Sequence, residues 1–158
     1  MHAPSCNRAH SGRNNIPLLT HIDGEPVTHF TLREFENRDG LAMVHRATLE
    51  ALERVRRDLA IIAGEAVYVI ITGAVRTRAD LERLAARHGW TDEGGLVSRT
   101  SKHLAECGGI AVDLVARTAI SRRPIPQATL GKVCRRYFDF VKDDYSGGHV
   151  HADLRGLL

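Results

Sequence analysis

Four residues in the C-terminal half of the chain have the types and spacing of a metal site. His103 and Asp113 lie in the segment SKHLAECGGIAVD, and His149 and His151 form a His-x-His pair in GGHVHADLR. A catalytic zinc ion takes three nitrogen, oxygen or sulfur ligands from the protein and leaves one coordination position open. We therefore interpret these residues as parts of one Zn²⁺ site, brought together from two parts of the fold.

The predicted elements favour the same interpretation. Asp113 falls in a predicted strand, and His103 lies in the loop before it. His149 and His151 fall on the second strand of a predicted hairpin, where residues two apart share one face. Strand pairing would bring Asp113 to His151, and His103 would close the site from its loop. Cys107, in the same loop, is a further candidate ligand.

Helices and strands alternate along the chain. The pattern of apolar residues, caps and turns predicts a short helix that begins at Thr31, helices over 43–64, 77–89 and 128–141, strands over 66–72 and 109–116, and a hairpin over 142–155. This order predicts a single α+β domain with a small, mostly antiparallel sheet and helices packed on one side of it. Residues 1–28 are polar and rich in turn formers, so we expect an irregular N-terminal arm, followed by the folded domain over 29–158.

The composition is that of a soluble globular protein, with 158 residues, 43% of them hydrophobic and 26% charged. The 22 Lys and Arg are nearly balanced by 19 Asp and Glu, and the net charge of +3 is not typical of a nucleic-acid-binding protein. No apolar run is long enough to span a bilayer, and no apolar core of a secretory signal is visible at the N-terminus. Three cysteines without CxxC spacing do not indicate a disulfide scaffold. We expect a monomer with no nucleic-acid partner and no membrane span.

Several segments resemble the zinc D-Ala-D-Ala carboxypeptidase family, which includes vancomycin-resistance dipeptidases, phage L-alanyl-D-glutamate endopeptidases and the hedgehog signalling domain. The family's core pattern is S-x-H-x-x-G-x-A-x-D followed by a terminal zinc histidine, and this chain has SKH at 101–103 and GIAVD at 109–113. HVHADLR resembles the family's HVDVR ending and aligns His151 with the zinc histidine. FTLREF resembles FTLSEF, and VIITGAVRT resembles ITSGYRS. The resemblance covers residues 29–155.

This resemblance implies a zinc metallopeptidase that hydrolyses peptidoglycan stem peptides, of the D-Ala-D-Ala carboxypeptidase type, with a fold like that of hedgehog and the DD-peptidases. The metal ligands would be His103, Asp113 and His151. Arg76 aligns with the family's substrate-side arginine, and a guanidinium there would hold a substrate carboxylate or stabilise an oxyanion. Ser101 precedes His103 as the family's serine does, and we place it on the substrate side.

The chain departs from the family pattern in the loop before the predicted strand. Three extra residues separate His103 from Gly109. If the family spacing is measured back from Asp113, the histidine position holds Glu106 instead. We favour His103, because Ser101 precedes it and a loop can absorb an insertion. Glu106 remains an alternative oxygen ligand.

A second departure concerns the general base. Many family members carry a Glu three residues before the last zinc histidine, and that position here is Gly148. A proton acceptor must then come from elsewhere if the site is catalytic. The candidates are His149, beside His151, and Asp143 and Asp144, before the hairpin turn.

Two other functions therefore stay open at this point. One is a phage-type L-alanyl-D-glutamate endopeptidase, which cuts inside the stem peptide. The other is a non-catalytic, hedgehog-like zinc-binding module, which the absence of a Glu at position 148 favours.

Overall fold

A four-stranded sheet carries the candidate site. The computed structural model describes residues 14–89 and 100–158 of the chain. In chain order its strands and α-helices are β1 Thr20–Ile22, β2 Glu25–Val27, α1 Arg46–Ala63, β3 Val67–Gly73, α2 Arg78–His88, β4 Ala111–Thr118, α3 Gln127–Cys134, β5 Phe140–Lys142 and β6 Val150–Asp153. The large sheet has the order β3-β4-β6-β5, and every pair in it is antiparallel. With α1 and α3 packed against it through a common core, the sheet confirms the predicted α+β class.

Helix α1 forms where the apolar periodicity predicted it. Its buried face includes Leu52, Val55 and Leu59, each fully removed from solvent, and most of its charged residues lie on the opposite face, whereas Ile62 at the C-terminal end is exposed. The helix ends at Gly64, whose φ of 72° lies in the left-handed region that glycine adopts without a steric penalty. This helix supplies much of the apolar layer beneath the sheet.

Helix α2 also begins and ends as predicted. The Asp80 N–H donates to the Thr77 hydroxyl, and the Thr77 N–H donates to the Asp80 carboxylate, which together form a capping box. Gly89 ends the helix in a left-handed conformation. Thr31 instead precedes only a 3-10 turn over Leu32–Phe35. The predicted loop over 90–108 falls partly outside the described residues, at 90–99.

Over residues 14–28 the chain differs from the predicted irregular arm, whose first part, 1–13, lies outside the described residues. Within the described residues, β1 and β2 form an antiparallel hairpin whose turn has two residues. Asp23 and Gly24 make the turn with φ values of 52° and 85°, as an Asp-Gly hairpin turn requires. Ile22 is buried, so this hairpin covers part of α1. The Asp-Gly pair was the sequence signal for this element.

The predicted helix over 128–141 is too long. Helix α3 ends at Cys134, and the chain then extends so that Phe140 can pair with Asp153 as the first residue of β5. The Asp139 N–H donates to the Asp153 carbonyl oxygen at 3.0 Å at the start of this pairing. The sheet edge therefore overrides the helical pattern, and β5 replaces the last turns of the predicted helix.

The alternation of side chains along β4 and β6 creates two different faces. Val112 and Ala152 are paired across the two strands and lie in the core beneath the helices. Asp113 and His151 are the next pair in the same register. Because successive residues of a strand point to opposite faces, Asp113 and His151 stand side by side on the face away from α1 and α3. None of the helices in the described part of the chain has the length and apolar character needed to cross a membrane.

Candidate metal centre

Three side-chain atoms converge on one point above the sheet. His103 Nε2 lies 3.1 Å from Asp113 Oδ1 and 3.1 Å from His151 Nδ1, and the latter two atoms are 3.0 Å apart. All three residues are buried. In the described part of the chain, this is the group of His, Cys, Asp and Glu side chains that is close enough to share a metal ion.

The sheet and one loop fix these positions. Asp113 and His151 are held opposite each other by the register of β4 with β6. His103 comes from a loop that is fastened to the end of β3. The Arg76 N–H donates to the His103 carbonyl oxygen at 2.7 Å, and the Ala105 N–H donates to the Arg76 carbonyl oxygen at 3.0 Å. Backbone hydrogen bonds thus connect the loop histidine to the sheet without side-chain involvement.

The outer nitrogen of each imidazole has its own acceptor. His103 Nδ1 lies 2.6 Å from the carbonyl oxygen of Ala74, and His151 Nε2 lies 2.7 Å from Asp153 Oδ2. A carbonyl oxygen and a carboxylate only accept hydrogen bonds, so each of these nitrogens carries the proton. The neutral rings then present lone pairs at His103 Nε2 and His151 Nδ1, which are the two nitrogens that face Asp113. Carbonyl and carboxylate partners of this kind orient histidines that bind metals.

With both rings neutral, three acceptor atoms face one another at about 3 Å without a donor between them. The arrangement repels itself unless positive charge lies at its centre. Ligand atoms that surround zinc tetrahedrally at about 2.0–2.1 Å are about 3.3–3.4 Å apart, close to the separations found here. The donor set of two imidazole nitrogens and one carboxylate oxygen is also the type that zinc accepts. The residues therefore fit a metal ion.

The close approach of these three side chains also shifts the pKa values of Asp113 and His151. Burial by itself raises the pKa of Asp113, but the contacts with His103 and His151 and the charge of Arg76 outweigh burial and hold that pKa well below its usual range. Burial lowers the pKa of His151, whereas Asp113 and Asp153 raise it, and the net shift is upward. Both shifts favour positive charge beside an ionised Asp113, supplied by a proton or by a metal ion that replaces it.

Asp153 is a functional candidate that sequence analysis missed. It is fully buried, and it accepts hydrogen bonds from His151 and from the Arg155 guanidinium, which donates to both of its oxygens at 2.8 Å. Burial raises the pKa of Asp153, but Arg155 and His151 outweigh it and keep the group ionised. Its sequence signal was its position two residues after His151 on a strand, which places both side chains on one face.

Arg76 approaches the centre from the end of β3. Its Nη2 donates to Asp113 Oδ2 at 2.9 Å, on the oxygen that does not face the histidines. A β-bulge between Ile71 and Gly73 precedes it. A Cβ atom at Gly73 would lie 2.8 Å from Arg76 Nη2 and 3.0 Å from Asp113 Oδ2. Gly73 is therefore needed for the arginine and the aspartate to meet.

The three converging side chains line a cleft of about 1020 Å³. Ser101, Arg76 and His149 line the same cleft, so the structure brings these sequence-predicted residues together. The Ser101 hydroxyl also accepts a hydrogen bond from the His103 N–H at 3.3 Å. His149 lies just before β6 and stacks on Tyr145, with ring centroids 4.3 Å apart. Tyr145 is a second cleft residue that no sequence motif marked.

Two other predicted candidates lie away from the centre. Asp144 is exposed and accepts a hydrogen bond from Lys142 Nζ at 2.6 Å, and it is not among the cleft residues. The Glu106 side chain is 64% exposed and lies 3.9 Å from Arg78. Gly148 has a φ of 83°, which a Glu would adopt only with strain, so the backbone at this position forms a turn.

Comparisons with known proteins add one structural likeness. No protein-family model matches the chain, and no curated protein matches it. Its structure is similar to the crystal structure of Serratia marcescens L-Ala D-Glu endopeptidase ChiX, with a TM-score of 0.43 and 19% sequence identity. The match covers 72% of this chain and 84% of that one.

Proposed function

We propose that the chain is a zinc metallopeptidase that hydrolyses peptidoglycan stem peptides, of the D-Ala-D-Ala carboxypeptidase type. The observation that carries the metal is the meeting of three acceptor atoms, with both imidazoles oriented by partners on their outer nitrogens. The peptide substrate rests on the resemblance of SKH, GIAVD and HADLR to the zinc carboxypeptidase pattern.

In this proposal His103, Asp113 and His151, which line the cleft, would hold the metal. When bound, zinc polarises a carbonyl group and lowers the pKa of water. Ala74 and Asp153 orient the two imidazoles through hydrogen bonds to their outer nitrogens.

Arg76 and Ser101 act on the substrate side. One N–H of Arg76 is bonded to Asp113, and its guanidinium makes no other hydrogen bond or ion pair with a side chain in the described part of the chain. Its remaining N–H groups are available in the cleft for a substrate carboxylate or for negative charge that develops on the scissile carbonyl. Ser101 borders the same cleft and offers a hydroxyl to the peptide.

His149 is the proposed proton acceptor. It lines the cleft together with the candidate ligands, and its imidazole suits proton transfer near neutral pH. Asp144 is the weaker candidate, because it pairs with Lys142 on the surface.

A second candidate activity is cleavage of the L-Ala-D-Glu bond inside the stem peptide. The cleft volume of about 1020 Å³ favours it, because this is more space than a single terminal residue fills. A non-catalytic zinc-binding module is the competing class, and the turn conformation of Gly148 in place of a Glu favours that class.

One experiment separates the three functions. The zinc-loaded protein is incubated with a purified stem pentapeptide that ends in D-Ala-D-Ala, and the products are weighed by mass spectrometry. Loss of one terminal alanine supports the carboxypeptidase, and release of the N-terminal L-Ala supports the endopeptidase. The variant His151→Ala is the control and should cleave neither bond. An intact peptide beside a fully zinc-loaded parent protein would overturn the peptidase and leave the binding module.

A further inference from the structure

A second pocket lies beside the metal cleft and shares a wall with it. This pocket has a volume of about 330 Å³, and Thr72, Arg76 and Leu84 line both it and the cleft. Four arginines line the pocket, namely Arg38, Arg76, Arg83 and Arg87, and we name it the arginine pocket. A ligand that extends from the metal cleft past Arg76 would enter it.

We propose that the arginine pocket is a subsite for a carboxylate of the peptide substrate. The identity of the ligand rests on the proposed function, whereas the preference for an anion follows from the charges that line the pocket.

Two carboxylates, those of Glu36 and Asp80, line the pocket with the four guanidiniums, so the lining keeps an excess of positive charge. Asp80 already accepts hydrogen bonds from the Thr77 N–H at 2.8 Å, from Asn37 Nδ2 at 3.0 Å and from Arg83. Glu36 accepts from the side-chain amide of Asn14. These carboxylates are committed to the cap of α2 and to the preceding loop.

Two of the four guanidiniums are paired, and two are not. Arg83 bridges Asp39 and Asp80, and Arg76 is bonded to Asp113. Arg38 and Arg87 form no ion pair with any residue over 14–89 or 100–158. Positive charge is therefore left over on the side of the pocket formed by Arg38 and Arg87.

A carboxylate is the group that this geometry suits. Guanidiniums bind carboxylates through paired N–H groups, and they are less strongly hydrated than ammonium ions. A volume of about 330 Å³ accepts a group of the size of one amino-acid side chain. Stem peptides carry carboxylates within the chain as well as at the C-terminus, so a peptide bound at the metal can present one of them here.

The test uses two stem peptides that differ in one group, the free carboxylate of the D-Glu residue or its carboxamide. KM and kcat are measured with the zinc-loaded parent protein, with Arg38→Met, Arg87→Met and the double variant, and with Arg33→Met as a matched control. Arg33 lines neither the arginine pocket nor the metal cleft, and Arg33→Met removes the same charge as each of the single variants. The Nε–H signals of the arginines are followed by NMR while each peptide is added.

We expect the parent to bind the carboxylate peptide about tenfold more tightly than the amide, the scale of two exposed charge pairs acting together. The preference should fall to about threefold in each single variant and vanish in the double variant, with kcat unchanged. Arg33→Met should keep it in full. A preference that survives in the double variant would overturn the subsite. Loss of the carboxylate preference in Lys102→Met, with the arginines intact, would also overturn the subsite. Lys102 lines the metal cleft and not the arginine pocket.

The outcomes also separate the subsite from the proposed function. Cleavage of both peptides with equal KM would keep the peptidase and reject the subsite. Absence of cleavage, with carboxylate-dependent shifts of the Arg38 and Arg87 signals, would keep the subsite and reject the peptidase. Absence of both cleavage and shifts would reject both.

Discussion

His103 Nε2 lies 3.1 Å from His151 Nδ1, although 48 positions separate the two residues in the chain. Their rings meet edge to face, with centroids 5.0 Å apart. The outer nitrogen of each ring already donates a hydrogen bond, so the two facing nitrogens are both acceptors in the neutral state. Positive charge between them, from a proton or from a metal ion that replaces it, removes the repulsion, and the first prediction concerns that metal ion.

We expect about one zinc ion per chain, lost in His103→Ala, Asp113→Ala and His151→Ala. Each change removes one of three donors, and two remaining donors hold zinc weakly. Elemental analysis after dialysis against a mild chelator measures the zinc content, and circular dichroism checks that each variant is folded. Glu106→Ala is the control and should keep its zinc, since that side chain is mostly exposed. Full zinc content in His103→Ala with loss in Glu106→Ala would transfer the ligand role to Glu106.

Asp153→Asn should weaken zinc binding roughly 10- to 100-fold, the scale found when a residue that orients a metal-bound histidine is replaced. The amide has no negative charge to hold the proton on His151 Nε2, so the ring is less firmly oriented. Competition with a chromophoric chelator gives the affinity. Asp144→Asn makes the same chemical change on the surface and should leave the affinity unaltered. Equal affinities in the two variants would remove Asp153 from the support of the site.

His149→Ala should keep its zinc and lose roughly 10²–10⁴ in kcat for stem-peptide cleavage, as expected for a positioned acid or base. The side chain lines the cleft but contacts none of the three candidate ligands through a hydrogen bond in the described structure. Asp144→Asn should change kcat little, because Asp144 pairs with Lys142. The comparison of zinc content with turnover in both variants is decisive. An inactive Asp144→Asn beside a fully active His149→Ala would exchange their roles.

Gly73→Ala should act by displacing Arg76. The added Cβ would lie 2.8 Å from Arg76 Nη2, and the flexible end of the arginine is the part that can move. We therefore expect Gly73→Ala and Arg76→Met to lower kcat/KM to a similar extent. In a double-mutant cycle the combined variant should be no worse than Arg76→Met. Additive losses would show that Gly73 matters through the backbone of the bulge rather than through Arg76.

The pH dependence of stability should reveal a contact far from the metal. Asp58 on α1 accepts hydrogen bonds from Tyr137 and from Arg136, after α3. Burial raises the pKa of Asp58, but these two partners outweigh it and lower the pKa below its ordinary value of 3.8. A lowered pKa adds stability that is present above the unfolded-state pKa and is lost as the pH falls through the folded-state value.

Asp58→Asn should therefore reduce the free energy of unfolding by about 1–2 kcal/mol at pH 7, and by less as the pH falls below about 4. Urea denaturation at several pH values measures the difference. A difference that grows in acid would have the wrong sign and would exclude this contact as its source.

The strand pattern predicted the part of the site that the sheet determines. Asp113 and His151 face each other because alternation along two strands leaves few registers that also bury Val112 and Ala152. Helix α1 was predicted for a similar reason, since its apolar stripe and its terminal glycine are local signals. Local patterns of this kind are readable without knowledge of the rest of the fold.

The features of the fold and site that the sequence did not predict depend on contacts between different elements of the chain. Helix α3 is shorter than its local pattern because Phe140 is taken into the sheet by Asp153. The position of Asp144 depends on Lys142 and on the shape of the turn, and no periodicity encodes either. His103 is oriented by a backbone carbonyl 29 positions earlier, and a backbone carbonyl leaves no mark in a sequence.

The hydrogen bond from His103 to the Ala74 carbonyl oxygen affects which mutations can disrupt the site. Every amino acid carries the same carbonyl group, so no codon change at position 74 can delete this acceptor, although a bulky side chain could shift it. The support of His151 is different, because a single codon change at position 153 removes it. A saturation mutagenesis scan would then detect the role of Asp153 in orienting His151, but not the role of the Ala74 carbonyl in orienting His103. A single amino-acid substitution can therefore remove the partner of the His151 ring, whereas the partner of the His103 ring persists through every substitution at position 74.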